Sequence, residues 1–169
     1  MSPIRYPVVL FDWGDTVMRD DPPSTVPMVQ WPVVHAIDGI AAVLAHLRST
    51  GRRSILATSA DISDAAQIRG ALSRAGLDIY FSAIYSFKNT GIPKGEAFYR
   101  HILADLDLPA SEALMVGDSF EKDVLAANKA GIFAAWFNPR SGETHASDLH
   151  ITVHSMPELL SFFQSLDRD

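Results

Sequence analysis

Val8-Val9-Leu10-Phe11-Asp12-Trp13-Gly14-Asp15-Thr16 is an apolar run that stops in a carboxylate, a glycine, a second carboxylate and a hydroxyl. Large apolar residues without alternation predict a strand covered on both faces, and in open α/β sheets ligands collect just beyond the carboxyl ends of such strands. Chemistry is therefore expected around Asp12.

Outward from this stretch the chain alternates between apolar runs and helical periodicity. Ile37, Ile40, Leu44 and Leu47 predict a helix over 34–50 that stops at Gly51. Ser54–Ser59 reads as a second buried strand, followed by a helix capped by Asp61 or Ser63, with Ile62, Ile68 and Leu72 inward. Shorter strands are expected at Ala83–Ser86, Ala113–Val116 and Phe133–Phe137, with an edge strand at Ile151–Val153. Helices carrying Phe98, Ile102 and Leu106, and then Val124 and Ala127, fall between them. Ser155-Met156-Pro157-Glu158 reads as a capping box for a last helix packed through Leu159, Leu160, Phe163 and Leu166. Regular alternation of this kind predicts an α/β fold, a three-layer, Rossmann-like, doubly wound parallel sheet with right-handed crossovers.

Composition narrows the function classes. With 169 residues and 47% hydrophobic content the chain is one domain's worth, and residues 1–169 are expected to form a single domain. It has no cysteine, which excludes thiol catalysis and thiolate metal sites and leaves a secreted, disulfide-stapled setting without support. The N-terminus lacks the apolar core of a signal peptide and no run approaches a membrane span, so the expectation is a cytoplasmic protein with no membrane partner. Net charge is −6 with basic residues scattered, which argues against nucleic acid and for a small metabolite. The six histidines form no metal-site pattern.

Asp12, Thr58, Lys94 and Asp118 all fall at or just after the ends of predicted strands or in the loops that follow them, so a parallel sheet would bring them together. A carboxylate attacking phosphorus needs its own charge and the phosphate's charge neutralised, which a divalent cation and an ammonium supply. Asp12 and Asp118 suit the cation, Lys94 is the ammonium, and Thr58 suits a phosphoryl oxygen. Lys88 competes for the ammonium's place but lies earlier in the turn.

Asp12 to Thr16 resembles the first motif of the haloacid dehalogenase superfamily, Asp-x-Asp-x-Thr. Thr58 looks like the second motif, Lys94 the third, and Gly117-Asp118-Ser119-Phe120-Glu121-Lys122-Asp123 the fourth, Gly-Asp-x-x-x-x-Asp. The resemblance covers residues 7 to about 164. It implies a phospho-Asp12 intermediate and Mg²⁺ held by the Asp12 carboxylate, the main-chain carbonyl of Gly14 and Asp118, with Asp123 in support. It also implies a phosphohydrolase acting on a small phosphorylated substrate.

Two departures stand out. Pro93 precedes the lysine here, where the family places a proline after it. More consequentially, the family's phosphatases carry a second Asp two positions after the nucleophile to protonate the leaving group, and this chain has Gly14 there, with Asp15 one step later as a replacement acid if the loop turns it inward. The alternatives are a haloacid-dehalogenase-like domain with impaired turnover serving as a binding or regulatory module, or another reaction of the superfamily such as dehalogenation. Only 46 positions separate Asp12 from Thr58, so no cap domain is expected; a proline-rich flap over about 17–32 takes its place. A partner subunit packed over that flap at Met28 or Trp31 would make a homo-oligomer and close the site.

Overall fold

A computed structural model describes residues 2–20 and 24–169. Residues 21–23 of the flap lie outside the described residues. The described sheet has six parallel strands in the order β3-β2-β1-β4-β5-β6: β1 (Val8–Phe11), β2 (Arg53–Ala57), β3 (Phe81–Tyr85), β4 (Ala113–Gly117), β5 (Phe133–Phe137) and β6 (His150–Val153). The helices are α1 (Ile40–Ser49), α2 (Ala65–Arg74), α3 (Phe87–Thr90), α4 (Glu96–Asp105), α5 (Ala126–Lys129) and α6 (Met156–Leu166).

Every residue of β1 is buried because the strand is central and both faces are covered. Successive side chains point to opposite faces. Val9 and Phe11 join the core built with α1, α2 and α6, whereas Val8 and Leu10 join the core built with α4 and α5. Each such side chain contributes roughly 1.5–3 kcal/mol by leaving water, which makes β1 a firmly anchored strand from which to present a reactive group.

The chain departs from β1 toward β2 and β3, then returns to the other side of β1 with β4. That reversal opens a crevice at the carboxyl ends of β1 and β4. The register pairs Phe11 with Val116, and Asp12 N–H donates to the Val116 carbonyl at 2.9 Å, so Asp12 and Asp118 leave the sheet beside each other.

Three local expectations are corrected. The helix expected over 34–50 begins only at Ile40, because Gly39 at φ 85° breaks the chain and residues 35–37 pair instead with the segment after Thr16. That pairing includes Arg19 N–H to the His35 carbonyl at 2.8 Å and Ile37 N–H to the Val17 carbonyl at 2.9 Å. Helix α2 is capped by Asp64, not Asp61 or Ser63: Asp64 Oδ1 accepts from Gln67 N–H and Gln67 Oε1 accepts from Asp64 N–H, a reciprocal box that the Asp-Ala-Ala-Gln spacing encodes. At α6, Ser155 Oγ accepts from Glu158 N–H, but Glu158 turns to the His154 N–H, so only half of the expected box forms.

The flap is strapped down rather than free-standing. Its described part holds a 3₁₀ turn at Met28–Gln30 that packs on α2, where Gly70 leaves room for Val29. The Arg74 guanidinium donates to the carbonyls of Val29, Trp31 and Pro32. Met28 is 2% exposed, so it staples the flap onto the core and is not available as a subunit contact.

Candidate active site

Phe11 ends β1 and hands Asp12 to the crevice; Ala57 ends β2 and hands over Thr58; Gly117 ends β4 and hands over Asp118. Lys94 comes from the loop between α3 and α4. Its ammonium lies 3.0 Å from Asp12 Oδ1 and 2.5 Å from Asp123 Oδ1, with the lysine side chain 2% exposed. The reversed Pro93-Lys94 order therefore still brings the ammonium between the two carboxylates. Lys88 donates instead to the Ile62 carbonyl. Burial works against the charge on Lys94, but the carboxylates of Asp12 and Asp123 outweigh it and hold the ammonium protonated far above the ordinary lysine range.

Asp118 follows its strand with the Trp136 indole N–H donating to its main-chain carbonyl at 2.9 Å. Thr16 Oγ1 donates to Asp118 Oδ1 at 3.4 Å. Asp123 reaches the site from a π-helical stretch, Phe120–Leu125, that runs into α5. Insertion of a π turn re-aims side chains, and such turns concentrate at functional sites. Asp123 Oδ2 accepts from Ser119 N–H at 2.8 Å, while its buried Oδ1 has Lys94 Nζ close by but no hydrogen bond of ordinary angle.

Ligand oxygens of Asp12, Asp118 and Asp123 lie within 4.8 Å of one another. Burial first, then the charge of Asp12, pushes the Asp118 carboxyl up to about 7 and that of Asp123 up to about 6, with Lys94 opposing the rise in Asp123. Crowded carboxylates, two of which resist ionisation, make an oxygen donor set that fits a hard divalent cation, whose charge relieves the crowding. Gly14 lines a hollow together with Asp12, so its carbonyl is a further candidate oxygen.

Thr58 is buried and its Oγ1 accepts from Ala60 N–H at 3.0 Å. The acceptor side being engaged, its own O–H is free to donate to a ligand oxygen. The hollow over these groups measures about 250 Å³ and is lined by Asp12, Gly14, Asp20, Trp31, Thr58 and Asp61 among others, the scale of a small metabolite's reactive end.

Asp15 turns elsewhere. At φ 60° it faces the neighbouring hollow, where Oδ1 accepts from Asp20 N–H at 3.1 Å and Oδ2 lies 3.4 Å from Arg140 Nη2. Sequence reasoning missed Asp20 and Arg140, whose guanidinium also lies 3.5 Å from Asp118 Oδ2. Arg140 was within reach of the strand-end rule, since it stands three residues past β5; Asp20 carries no sequence signal of its own.

A family model for haloacid dehalogenase-like hydrolases matches residues 32–131. The chain belongs to that family of hydrolases. The matched span includes Thr58, Lys94, Asp118 and Asp123. Among relatives, the chain is 38% identical over 78 residues to a ribulose-1,5-bisphosphate 5-phosphatase of Halopiger xanaduensis, covering 46% of this chain and 32% of the relative. It is 33% identical over 94 residues to a pyrimidine 5'-nucleotidase of Streptococcus pneumoniae, covering 54% of this chain and 40% of that one. The matched segments thus span well under half the length of these curated relatives. The fold is shared with a haloacid dehalogenase-like family hydrolase of Xanthomonas campestris at TM-score 0.75, 16% identity and 98% coverage of both chains. No helix among the described residues is long and apolar enough to cross a membrane.

Proposed function

We propose that this haloacid dehalogenase-like hydrolase is a Mg²⁺-dependent phosphohydrolase of a small phosphorylated metabolite, working through phospho-Asp12. The observation that carries the reading is Lys94 Nζ at 3.0 Å from Asp12 Oδ1, inside a cluster that includes Asp118 and Asp123. The ammonium orients one oxygen of Asp12 and leaves the other for attack on phosphorus, while Thr58 donates to a non-bridging phosphoryl oxygen. The names of the two relatives, a 5-phosphatase and a 5'-nucleotidase, support the same chemistry.

Asp12, the Gly14 carbonyl and Asp118 would hold Mg²⁺, with Asp123 acting from behind by fixing Lys94. When bound, the ion offsets negative charge on the phosphoryl oxygens. Charge makes that contribution necessary. Asp12, Asp15, Asp20, Asp61, Asp118 and Asp123 gather around the site with Lys94 and Arg140, six carboxylates against two cations, and an anionic substrate would otherwise meet net repulsion. The domain is read as capless: between β1 and β2 the described residues hold one 3₁₀ turn and α1. A cytoplasmic setting fits the absence of cysteine.

The bare Gly14 favours a second reading, a binding or regulatory module with impaired turnover. A screen of phosphorylated metabolites with Mg²⁺, wild type against Asp12→Asn, decides between them. Release of phosphate by the wild type, lost in the variant, supports the enzyme; binding of a phosphorylated ligand with no release by either protein supports the module.

A further inference from the structure

The hollow above Asp12 contains a carboxyl that the mechanism above leaves idle. We propose that Asp20 is the catalytic residue that protonates the leaving oxygen of the substrate, an assignment that rests on phosphoryl transfer to Asp12 as proposed above. A phosphate monoester of an alcohol leaves as a poorly stabilised alkoxide unless a positioned acid delivers a proton as the bond breaks. Gly14 offers no side chain for this.

The geometry links the two residues. A Cβ built on Gly14 would lie 2.9 Å from Asp20 Oδ2, 3.2 Å from Asp20 Cβ and 3.4 Å from Asp20 Cγ, and these are the nearest atoms it meets. The Asp20 side chain thus occupies the volume that a side chain at position 14 would enter. The bare glycine is what admits it.

Asp20 is also held in place. Asp15 Oδ1 accepts from Asp20 N–H at 3.1 Å, and Arg19 N–H donates to the His35 carbonyl at 2.8 Å. Bridges from Met18 to Gly14 and to Ala36 fix the segment on both sides. Asp15, the nearer carboxylate in sequence, is engaged by Arg140 and lines the adjoining hollow, whereas Asp20 stands between the two hollows and lines both, the one with Asp12 and Thr58 included. Asp61 also lines it, but from the Thr58 side, after β2.

The step balances. An Asp12 oxygen forms a bond to phosphorus, the bond from phosphorus to the leaving oxygen breaks with its electron pair going to that oxygen, and the Asp20 carboxyl proton moves to it, releasing a neutral alcohol. The Asp20 carboxylate then takes a proton from the water that attacks phospho-Asp12. Phosphate leaves, and both carboxyl groups return to their starting states.

The test compares an alkyl phosphate with 4-nitrophenyl phosphate, whose leaving group needs little protonation. Asp20→Asn should lower alkyl phosphate turnover by about 10²–10⁴-fold and aryl turnover far less, with Mg²⁺ binding by calorimetry unchanged. Moving the carboxyl, in Gly14→Asp combined with Asp20→Ala, should restore the alkyl-to-aryl ratio. Gly14→Asp alone should not improve it, because the added Cβ meets Asp20. Equal effects of Asp20→Asn on both substrates, no effect on either, or a selective alkyl loss in Asp61→Asn instead would overturn the assignment of Asp20 while leaving the phosphohydrolase reading intact. No turnover by the wild type, or turnover undiminished in Asp12→Asn, would overturn that reading and the Asp20 assignment with it.

Discussion

The Asp123 carboxyl packs against the bare Cα of Gly117: a Cβ there would lie 2.2 Å from Asp123 Cγ and 2.2 Å from Asp123 Oδ2. The glycine before Asp118 thus serves a residue six positions later, and the motif Gly-Asp-x-x-x-x-Asp is one packed unit. Asp123 in turn holds Lys94 at 2.5 Å.

Gly117→Ala should therefore disconnect the site more than it unfolds the chain. Overpacking of this kind costs about 1–3 kcal/mol, but the displaced carboxylate also releases Lys94. Activity is expected to fall by at least tenfold in a protein that still melts cooperatively, as followed by circular dichroism beside an activity assay. A variant with wild-type turnover would show that Asp123 has no part in the site.

Asp118 sets activity against stability. Burial and the charge of Asp12 raise its carboxyl to about 7, above the usual value near 3.9 of an unfolded chain. For an acid this sign means that ionisation is disfavoured in the fold: stability falls as pH rises from about 4 toward 7, and the loss is complete above that. Asp118→Asn removes the penalty, so at pH 8 and without metal the variant should melt higher than wild type, by about 2–4 °C for each kcal/mol recovered. Added Mg²⁺ should raise the melting temperature of wild type and do little for the variant. A variant less stable than metal-free wild type would contradict the crowding of these carboxylates.

Far from the site, Asp167 anchors the end of α6. Arg52, its side chain wholly buried, donates to Asp167 Oδ1 at 2.6 Å and Oδ2 at 3.2 Å, and His46 Nε2 lies 2.7 Å from Oδ2. The hydrogen bonds from Arg52, more than any other cause, hold the Asp167 carboxyl below the usual range, with His46 assisting. A depressed acid contributes stability that is present above about pH 4 and drains as pH falls through its folded value. Asp167→Asn should cost about 2 kcal/mol near neutrality, the scale of a hydrogen bond to a charged group. Its deficit should shrink in acid. Urea titrations at neutral pH and at pH 3 measure both, and a deficit constant with pH would show that the carboxylate's charge is not what Arg52 uses.

The parallel direction of the strands was legible because apolar runs ending in Asp, Thr or Gly mark the covered strands of a parallel sheet, as Phe11-Asp12, Ala57-Thr58 and Gly117-Asp118 do. Convergence of Asp12, Thr58, Lys94 and Asp118 followed from that topology, whereas Asp123 was legible only through the family's Gly-Asp-x-x-x-x-Asp motif. Local capping was less legible: Asp61, Ser63 and Asp64 are all competent caps, and only Asp64 has Gln67 three residues on to reciprocate. Asp20 was not legible, because its place depends on the pairing of residues 17–19 with 35–37, a tertiary contact that overrode helical periodicity at Ile37.

The central claim is that Asp12 carries the phosphoryl group, and the most direct measurement is to trap it. Wild type turning over a phosphorylated substrate with Mg²⁺ would be quenched in acid, reduced with borohydride and digested. Reduction of an aspartyl phosphate leaves homoserine, so peptide mass spectrometry should find homoserine at position 12 in wild type and none in Asp12→Asn or in protein without substrate. Phosphate release by the wild type with position 12 unmodified, or homoserine at another aspartate, would contradict the account.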